Sequence, residues 1–356
     1  MIEKGILFGN LHSFWDLDLI LAEAIIPPAS PKETYVDIPG ADGSVDMTEA
    51  HGEVKYSDRT GAKFTFYMNP AGDLSDAAWE EKKTQISNLL NGLRCNITLD
   101  KDPDYYWQGR CKVNDHASNK KLHKFVVGAR LAPYKLKNDV TNVFVPLCGK
   151  NLLDTSPDNQ ISQLYGDVEY ITNGFRKSGS YFVGFRAYVQ KNTQYFISCD
   201  IAKIVQASLP GNGGRMAIYD TTNTKSIAHF SSAEGHAIFT FNSGNYTEIN
   251  VLFYSDSDQD IGVYEFTNIQ IEAGQATEYE AFTPVESKDI TLTNARKTVC
   301  PSIVVTDEAT VTVSGDEFVL AKGTHKVLDL QLHEGETPVT VSGTGAVYFV
   351  YQERDL

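Results

Sequence analysis

Cysteine is sparse in these 356 residues. Cys95, Cys111, Cys148, Cys199 and Cys300 are odd in number and include no C-x-x-C pair. That spacing supports neither a structural zinc site nor a disulfide framework. Reduced thiols made in a cytosol are expected, several of them buried as small apolar residues. Basic residues are the minority, 31 against 46 acidic, for a formal charge of −15. An acidic balance argues against a nucleic-acid binder, which needs a basic face to neutralise phosphates. No run approaches the ~20 apolar residues that cross a bilayer. Met1-Ile2-Glu3-Lys4-Gly5 is not a basic region leading into an apolar stretch, so neither signal peptide nor membrane anchor is expected. Enzyme signatures are missing too: there is no G-x-S-x-G elbow, P-loop, H-E-x-x-H or Gly-rich dinucleotide loop. No catalytic residue is assigned, and the chain is not expected to be an enzyme.

What is present reads as folded protein, since 42% hydrophobic and 22% charged residues are ordinary for a globular chain. The length suggests two or three domains. Charge divides unevenly: residues 1–138 carry 17 basic and 19 acidic side chains, and residues 147–283 carry 8 and 15. One segment reads as a helix. Ser75 to Arg94 places Trp79, Ile86, Leu89, Leu90 and Leu93 on one face at 3.6 residues per turn, with Asp73 or Ser75 as cap and Gly92 at the end. Nearly everything else reads as strand, including Lys63–Tyr67, Asn96–Leu99 and Phe125–Val127. From Leu147 onward, short alternating strands recur between Gly- and Asn-rich turns. Tyr195, Ile197, Cys199 and Ile201 share a face, as do Ala237, Phe239 and Phe241, and Ile249, Val251 and Phe253. That rhythm over residues 147–283 implies a β-sandwich. The Thr-, Val- and Gly-rich stretch from Pro284 is thin for a domain of its own. Pairing Asp139–Val145 with Lys288–Thr293 would supply the missing burial and make residues 147–283 an insertion.

Candidate sites are few. His116 and His123 have no nearby Cys or spaced carboxylate and read as surface residues. Asp256-Ser257-Asp258-Gln259-Asp260-Ile261-Gly262 alternates carboxylates like a calcium loop, but Ile261 stands where an EF-hand needs Gly and Thr267 where it needs Glu. A solvated hairpin tip is the plainer reading. No cofactor is expected, and a structural calcium elsewhere in the insert stays open. All three tryptophans, Trp15, Trp79 and Trp107, lie outside residues 147–283, which instead hold ten tyrosines. Tyrosine is amphipathic and suits the apolar C–H face and the hydroxyls of a sugar ring. Should this segment bind sugar, Tyr181, Arg186, Arg215 and Tyr219 are the first candidates, lying in or beside strands and Gly-rich loops with aromatic and bidentate donor groups.

The N-terminal residues also carry a family likeness. Leu11-His12-Ser13-Phe14-Trp15-Asp16-Leu17-Asp18-Leu19-Ile20-Leu21 resembles the opening of siphophage distal tail proteins, the hub of the baseplate. In the same order follow Asp46-Met47-Thr48-Glu49-Ala50, Val54-Lys55-Tyr56-Ser57-Asp58-Arg59, the amphipathic helix, Asp102-Pro103-Asp104-Tyr105-Tyr106-Trp107-Gln108-Gly109-Arg110 and Ala132-Pro133-Tyr134-Lys135. His51 departs from the pattern, standing where an aliphatic residue belongs. Asn294-Ala295-Arg296-Lys297, Cys300-Pro301-Ser302-Ile303 and Ala321-Lys322-Gly323-Thr324-His325-Lys326 resemble the family's second, galectin-like β-sandwich. Asn151-Leu152-Leu153 and Ile269-Gln270-Ile271-Glu272-Ala273-Gly274 are similar to the edges of jelly-roll carbohydrate-binding modules.

The resemblance implies a mainly β protein in three units. Residues 1–135 would be an N-terminal β-sandwich with one α-helix, forming a ring in the tail hub. Residues 136–146 plus 284–356 would be a discontinuous galectin-like sandwich, and 147–283 an inserted jelly roll. It further implies a homohexameric ring in the virion's tail tip, synthesised in the host cytoplasm and lying between the tail tube protein and tail-tip or tail-fibre proteins. The insert would bind host cell-wall polysaccharide, with no membrane and no sequence-specific nucleic acid as partner. A pure scaffold whose insert binds nothing, a tail-associated hydrolase, and a glycan-binding protein unrelated to phage remain the rival readings.

Overall fold

The computed structural model describes residues 5–50, 52–119, 122–163, 167–179, 182–205, 214–231, 234–254 and 262–356. The protein is mainly β, with several sheets and a single α-helix among the described residues. No helix among them is long and apolar enough to cross a membrane. Three apolar cores account for most of the buried side chains.

The N-terminal core lies within a curled sheet ordered Leu11–His12, Ile6–Phe8, Arg94–Leu99, Asp102–Asn119, Leu122–Lys137, Arg59–Met68 and Leu19–Ile25. Phe8 meets Phe64 and Phe66 edge-on inside it. The helix runs Asp76–Leu90, with Ser75 as N-cap accepting from the Ala78 N–H at 3.3 Å. Trp79, Ile86 and Leu90 are buried, whereas Leu89 is 37% exposed, so the apolar stripe is narrower than its sequence pattern predicts. His123 also differs from expectation. Its ring is 3% exposed and stacks on Trp79 at 4.8 Å, because the strand Leu122–Lys137 runs beneath the helix. The side chain of His116 lies outside the described residues.

The chain's end returns to this first sheet: Arg354 pairs with Leu136 and Asp355 with Lys135. Lys137 and Glu353 form an ion pair at 3.1 Å beside them. Between these points lie two four-stranded sheets, one ordered Thr141–Pro146, Ala346–Tyr351, Ser302–Val305 and Gly323–His325. The other is ordered Ser287–Asn294, Gly335–Gly343, Ala309–Val313 and Asp316–Leu320. The expected pairing of Asp139–Val145 with Lys288–Thr293 is therefore corrected. Thr141–Pro146 pairs with Ala346–Tyr351, and Ser287–Asn294 lies in the opposite sheet against Gly335–Gly343. Both strands contribute to one core from opposite sides, through Val145 and Leu292.

The chain leaves this unit after Leu147, which is buried in its core, and returns beside the same point, where Gly149 N–H donates to Thr283 O at 2.7 Å and Cys148 bridges Pro284. Asn151 staples the two edges. Its Nδ2 donates to Ile269 O and Glu280 O, and its Oδ1 accepts from the N–H groups of Leu153 and Ile271. With 1% exposure, that amide meets the demand of a buried polar group for partners. Two five-stranded sheets face each other here. One is ordered Gln160–Gln163, Phe182–Tyr188, Glu248–Tyr254, Arg215–Tyr219 and Ser226–Ser231; the other is Val168–Ile171, Gly174–Ser178, Val263–Ala273, Gln194–Val205 and Gly235–Asn242. Phe175, Phe185, Phe253 and Phe266 interlock between them, with centroids 5.2–6.2 Å apart in edge-on and tilted pairs.

Candidate functional site

Strand alternation decides which side chains of the first of these sheets face away from the core. Met216 and Ile218 point inward from Arg215–Tyr219, as do Ile249, Val251 and Phe253 from Glu248–Tyr254. Arg215, Ala217 and Tyr219 therefore share the outer face with Asn250, Leu252 and Tyr254. Register aligns them in rows: Phe182, Tyr254 and Arg215; Gly184, Leu252, Ala217 and His229; Arg186, Asn250 and Tyr219.

Arg215, Tyr219, His229 and Tyr254 surround a pocket of about 350 Å³ on this face. Its size sits at the low end of small-ligand sites. The Tyr219 hydroxyl is 3.3 Å from His229 Nε2, and the two rings meet edge-on at 5.4 Å and 88°. Phe182 packs on Tyr254 at 5.4 Å. Burial, then the charge and hydrogen bond of the neighbouring Tyr219 phenol, hold the Tyr254 phenol above its ordinary range, against the opposing pull of Arg215. Tyr254 therefore keeps its proton throughout the neutral range. The Tyr219 and Tyr254 hydroxyls and the His229 ring together present both donors and acceptors, which is what a polyol requires.

Asn250 forms the next row. It is 2% exposed, and its Nδ2 donates to Asn223 Oδ1 at 2.8 Å, while its Oδ1 is buried with no hydrogen-bond partner among the described residues. Asn223 is delivered by a turn built on Asp220, which accepts from the N–H groups of Thr224 and Lys225 and the hydroxyl of Thr222.

Of the sequence candidates, Arg215 and Tyr219 come together in the pocket. Arg186 stands two strands away on the same face, outside the pocket lining, with its Nε 2.6 Å from Glu248 Oε1. Tyr181 lies outside the described residues, as does the acidic loop through residue 261. Sequence reasoning missed Tyr254, His229 and Asn250. The first and last were legible, being out of phase with Ile249, Val251 and Phe253. His229 carried no such signal, because its strand bulges at Ile227, opposite the step from Ile218 to Tyr219 on the neighbouring strand. Among the described residues, no group of three or more His, Cys, Asp or Glu side chains converges to hold a metal.

No family model matches the sequence, and no curated protein matches it. Among solved structures, the chain is similar to the SPP1 Dit (gp 19.1) protein, described as a paradigm of hub adsorption apparatus in phages infecting Gram-positive hosts. Identity is 12%, coverage 99% of both chains and the TM-score 0.38. It is also similar to a CBM29-2 carbohydrate-binding module mutant, at 8% identity over 38% of this chain and 92% of that one, TM-score 0.23. A chain of Sulfolobus turreted icosahedral virus matches at 9% identity over 96% and 92%, TM-score 0.21. Scores this low carry no weight for function.

Proposed function

We propose that the chain is a structural subunit of a phage tail tip whose inserted sandwich binds host-surface saccharide, with no turnover. Its units on this reading are residues 1–135, residues 136–146 with 284–356, and the insert 147–283, respectively a ring-forming domain, a galectin-like sandwich and a jelly roll. The ordered run of hub-like motifs in the first and last portions supports the structural role. The observation that carries the saccharide role is the pocket of Arg215, Tyr219, His229 and Tyr254 on the side of the sheet turned away from the core. Aromatic rings and hydroxyls there match the mixed apolar and polar surface of a sugar. Six copies in a ring would tolerate weak single sites, because linked sites act at high effective concentration.

Affinity-gel electrophoresis of the full chain in purified cell-wall polysaccharide tests this reading. Retardation is expected for the wild type and should be lost in Tyr219→Ala and Tyr254→Ala, while Arg186→Ala, outside the pocket, keeps it. Equal mobility with and without polysaccharide for the wild type would favour the scaffold reading. Release of reducing sugar would overturn the absence of turnover.

A further inference from the structure

The N-terminal sheet bears a cluster of cationic side chains that its own fold does not use. Cys111, Ala129 and Leu131 point into the N-terminal core, so Arg110, Lys112 and Arg130, which alternate with them, point outward. Arg94 lies directly opposite Arg110, and Arg110 opposite Arg130, on three adjacent strands. Lys112 follows two residues along the middle strand, opposite Gly128. Like charges set directly across a sheet destabilise it. Relief from within the chain is incomplete. Arg130 Nε donates to Asp58 at 2.8 Å and Arg110 Nη1 to Gly92 O at 2.7 Å, whereas the side chains of Arg94 and Lys112 have no polar partner among the described residues.

The cluster lines an open cleft of about 810 Å³, within the size range of small-ligand sites. Gly128 keeps the floor low and leaves room for the Asn114 amide, since a Cβ there would lie 2.2 Å from Asn114 Nδ2. The chemistry of the lining is one-sided. Guanidinium and ammonium groups only donate, and Asp58 is the sole carboxylate among the described lining residues. An occupant must therefore be anionic and rich in acceptors. Its charges must also be closely spaced, because strands ~4.8 Å apart set the three arginines in a row roughly 10 Å long. Guanidinium pairs with phosphate through two parallel hydrogen bonds. A short chain of linked phosphates offers each arginine a group of its own within that length.

We propose that this cleft is a binding site for an oligophosphate, with Arg94, Arg110 and Arg130 each holding a phosphate group and Lys112 adding a fourth cation. The site stands apart from the saccharide pocket and does not depend on it. Its ligand relieves the repulsion along the row, so binding favours the folded state and raises the melting temperature. Duplex DNA, also a chain of phosphates, fits less well, because it needs an extended basic face and this protein has a net charge of −15.

Isothermal titration calorimetry of the full-length protein with inorganic tripolyphosphate tests it, with circular dichroism to confirm folding. Binding at one site per chain is expected, weakening as salt rises. Arg94→Gln with Lys112→Gln should weaken it at least tenfold, and both side chains are exposed, so folding should survive. Lys322→Gln with Lys326→Gln removes the same charge from exposed residues elsewhere and should leave binding unchanged. Asp58→Asn should tighten it, because that carboxylate competes with the ligand for Arg130. Adenosine triphosphate titrated in parallel separates two sources of the same chemistry: tighter binding than tripolyphosphate assigns a nucleotide, weaker binding an inorganic chain, and either supports the site. A wild type that binds neither overturns the proposal, as do equal losses in the two double variants or an Asp58→Asn variant that binds no better. Citrate bound as tightly as tripolyphosphate reduces the cleft to general attraction of anions and overturns the assignment. Duplex DNA bound more tightly, and lost with the cleft variant, assigns the cleft to nucleic acid and overturns it too.

Discussion

Tyr348 tests how tightly the proposed insert is coupled to the unit that would carry it. It belongs to the strand Ala346–Tyr351, is 1% exposed and stacks on Phe144 at 5.0 Å. Its hydroxyl reaches into the insert, 2.9 Å from Val189 O and 2.7 Å from Thr247 O. Burial above all pushes this phenol far above its ordinary range, so it remains a donor at any working pH. One hydroxyl proton serves one carbonyl at a time. Thr247 O already accepts from Val189 N–H at 3.0 Å, so Val189 O is the group left wanting in Tyr348→Phe. An orphaned buried carbonyl costs about 1–3 kcal/mol. For domains of 150–250 residues that corresponds to about 2–4 °C of Tm per kcal/mol. The ring and its stacking survive the substitution, so the loss belongs to the joint. Hydrogen exchange should quicken in peptides spanning Val189 and Thr247, and urea unfolding should split or broaden. Tyr351→Phe is the control, because its hydroxyl donates to Thr293 O within the carrier unit. That variant should lose comparable stability without exposing Val189. Unchanged exchange at Val189 and Thr247 in Tyr348→Phe would refute the coupling argument.

Three further outcomes are expected. Ser75→Ala removes the cap on Ala78 N–H and should cost about 1 kcal/mol, read by denaturant midpoint. Gly174→Ala would place a Cβ 2.0 Å from Phe266 O, a backbone atom that cannot step aside, and should cost about 1–3 kcal/mol or prevent accumulation of folded protein. Lys177 is 3% exposed, and burial lowers its ammonium from 10.5 to about 8. Between those values the unfolded chain binds more protons than the folded one, so this residue's penalty is fully present below pH 8 and fades as pH climbs to 10.5. At 1.4 kcal/mol per unit, the span is at most about 3 kcal/mol. Wild-type stability relative to Lys177→Met should therefore rise across that window, and a flat difference would contradict the burial argument.

The strands were more legible than their partners. Alternation places Val143 and Val145 on one side of their strand whichever neighbour they have, so it identifies a strand without choosing between Ser287–Asn294 and Ala346–Tyr351. That choice depends on which edge is open once both sheets form, and tertiary context settles it. The helix shows the same limit: its periodicity is real, yet Leu89 sits at the margin of a stripe only as wide as the sheet beneath it. His123 read as a surface residue because nothing in its neighbours announces Trp79, almost half a hundred residues earlier, stacked on its ring.

The site obeys the same rule in a sharper form. Arg215 and Tyr219 lie on one strand four residues apart, so period-two alternation alone puts them on one face. Tyr254 and Asn250 lie on the next strand with the same spacing, and their outward phase follows from the apolar triplet Ile249, Val251 and Phe253. What periodicity cannot provide is the register that sets Arg215 against Tyr254 and Tyr219 against Asn250. A shift of two residues would preserve every inward side chain and still separate the residues that line the pocket. Register in this sheet is held by contacts outside the pocket, including the close approach of Leu252 and Ile161 over Gly184, where a Cβ would lie 2.6 Å from Leu252 Cδ2. Gly184→Val should therefore weaken saccharide retention through displacement of Leu252 and its row, although it leaves all four pocket side chains intact.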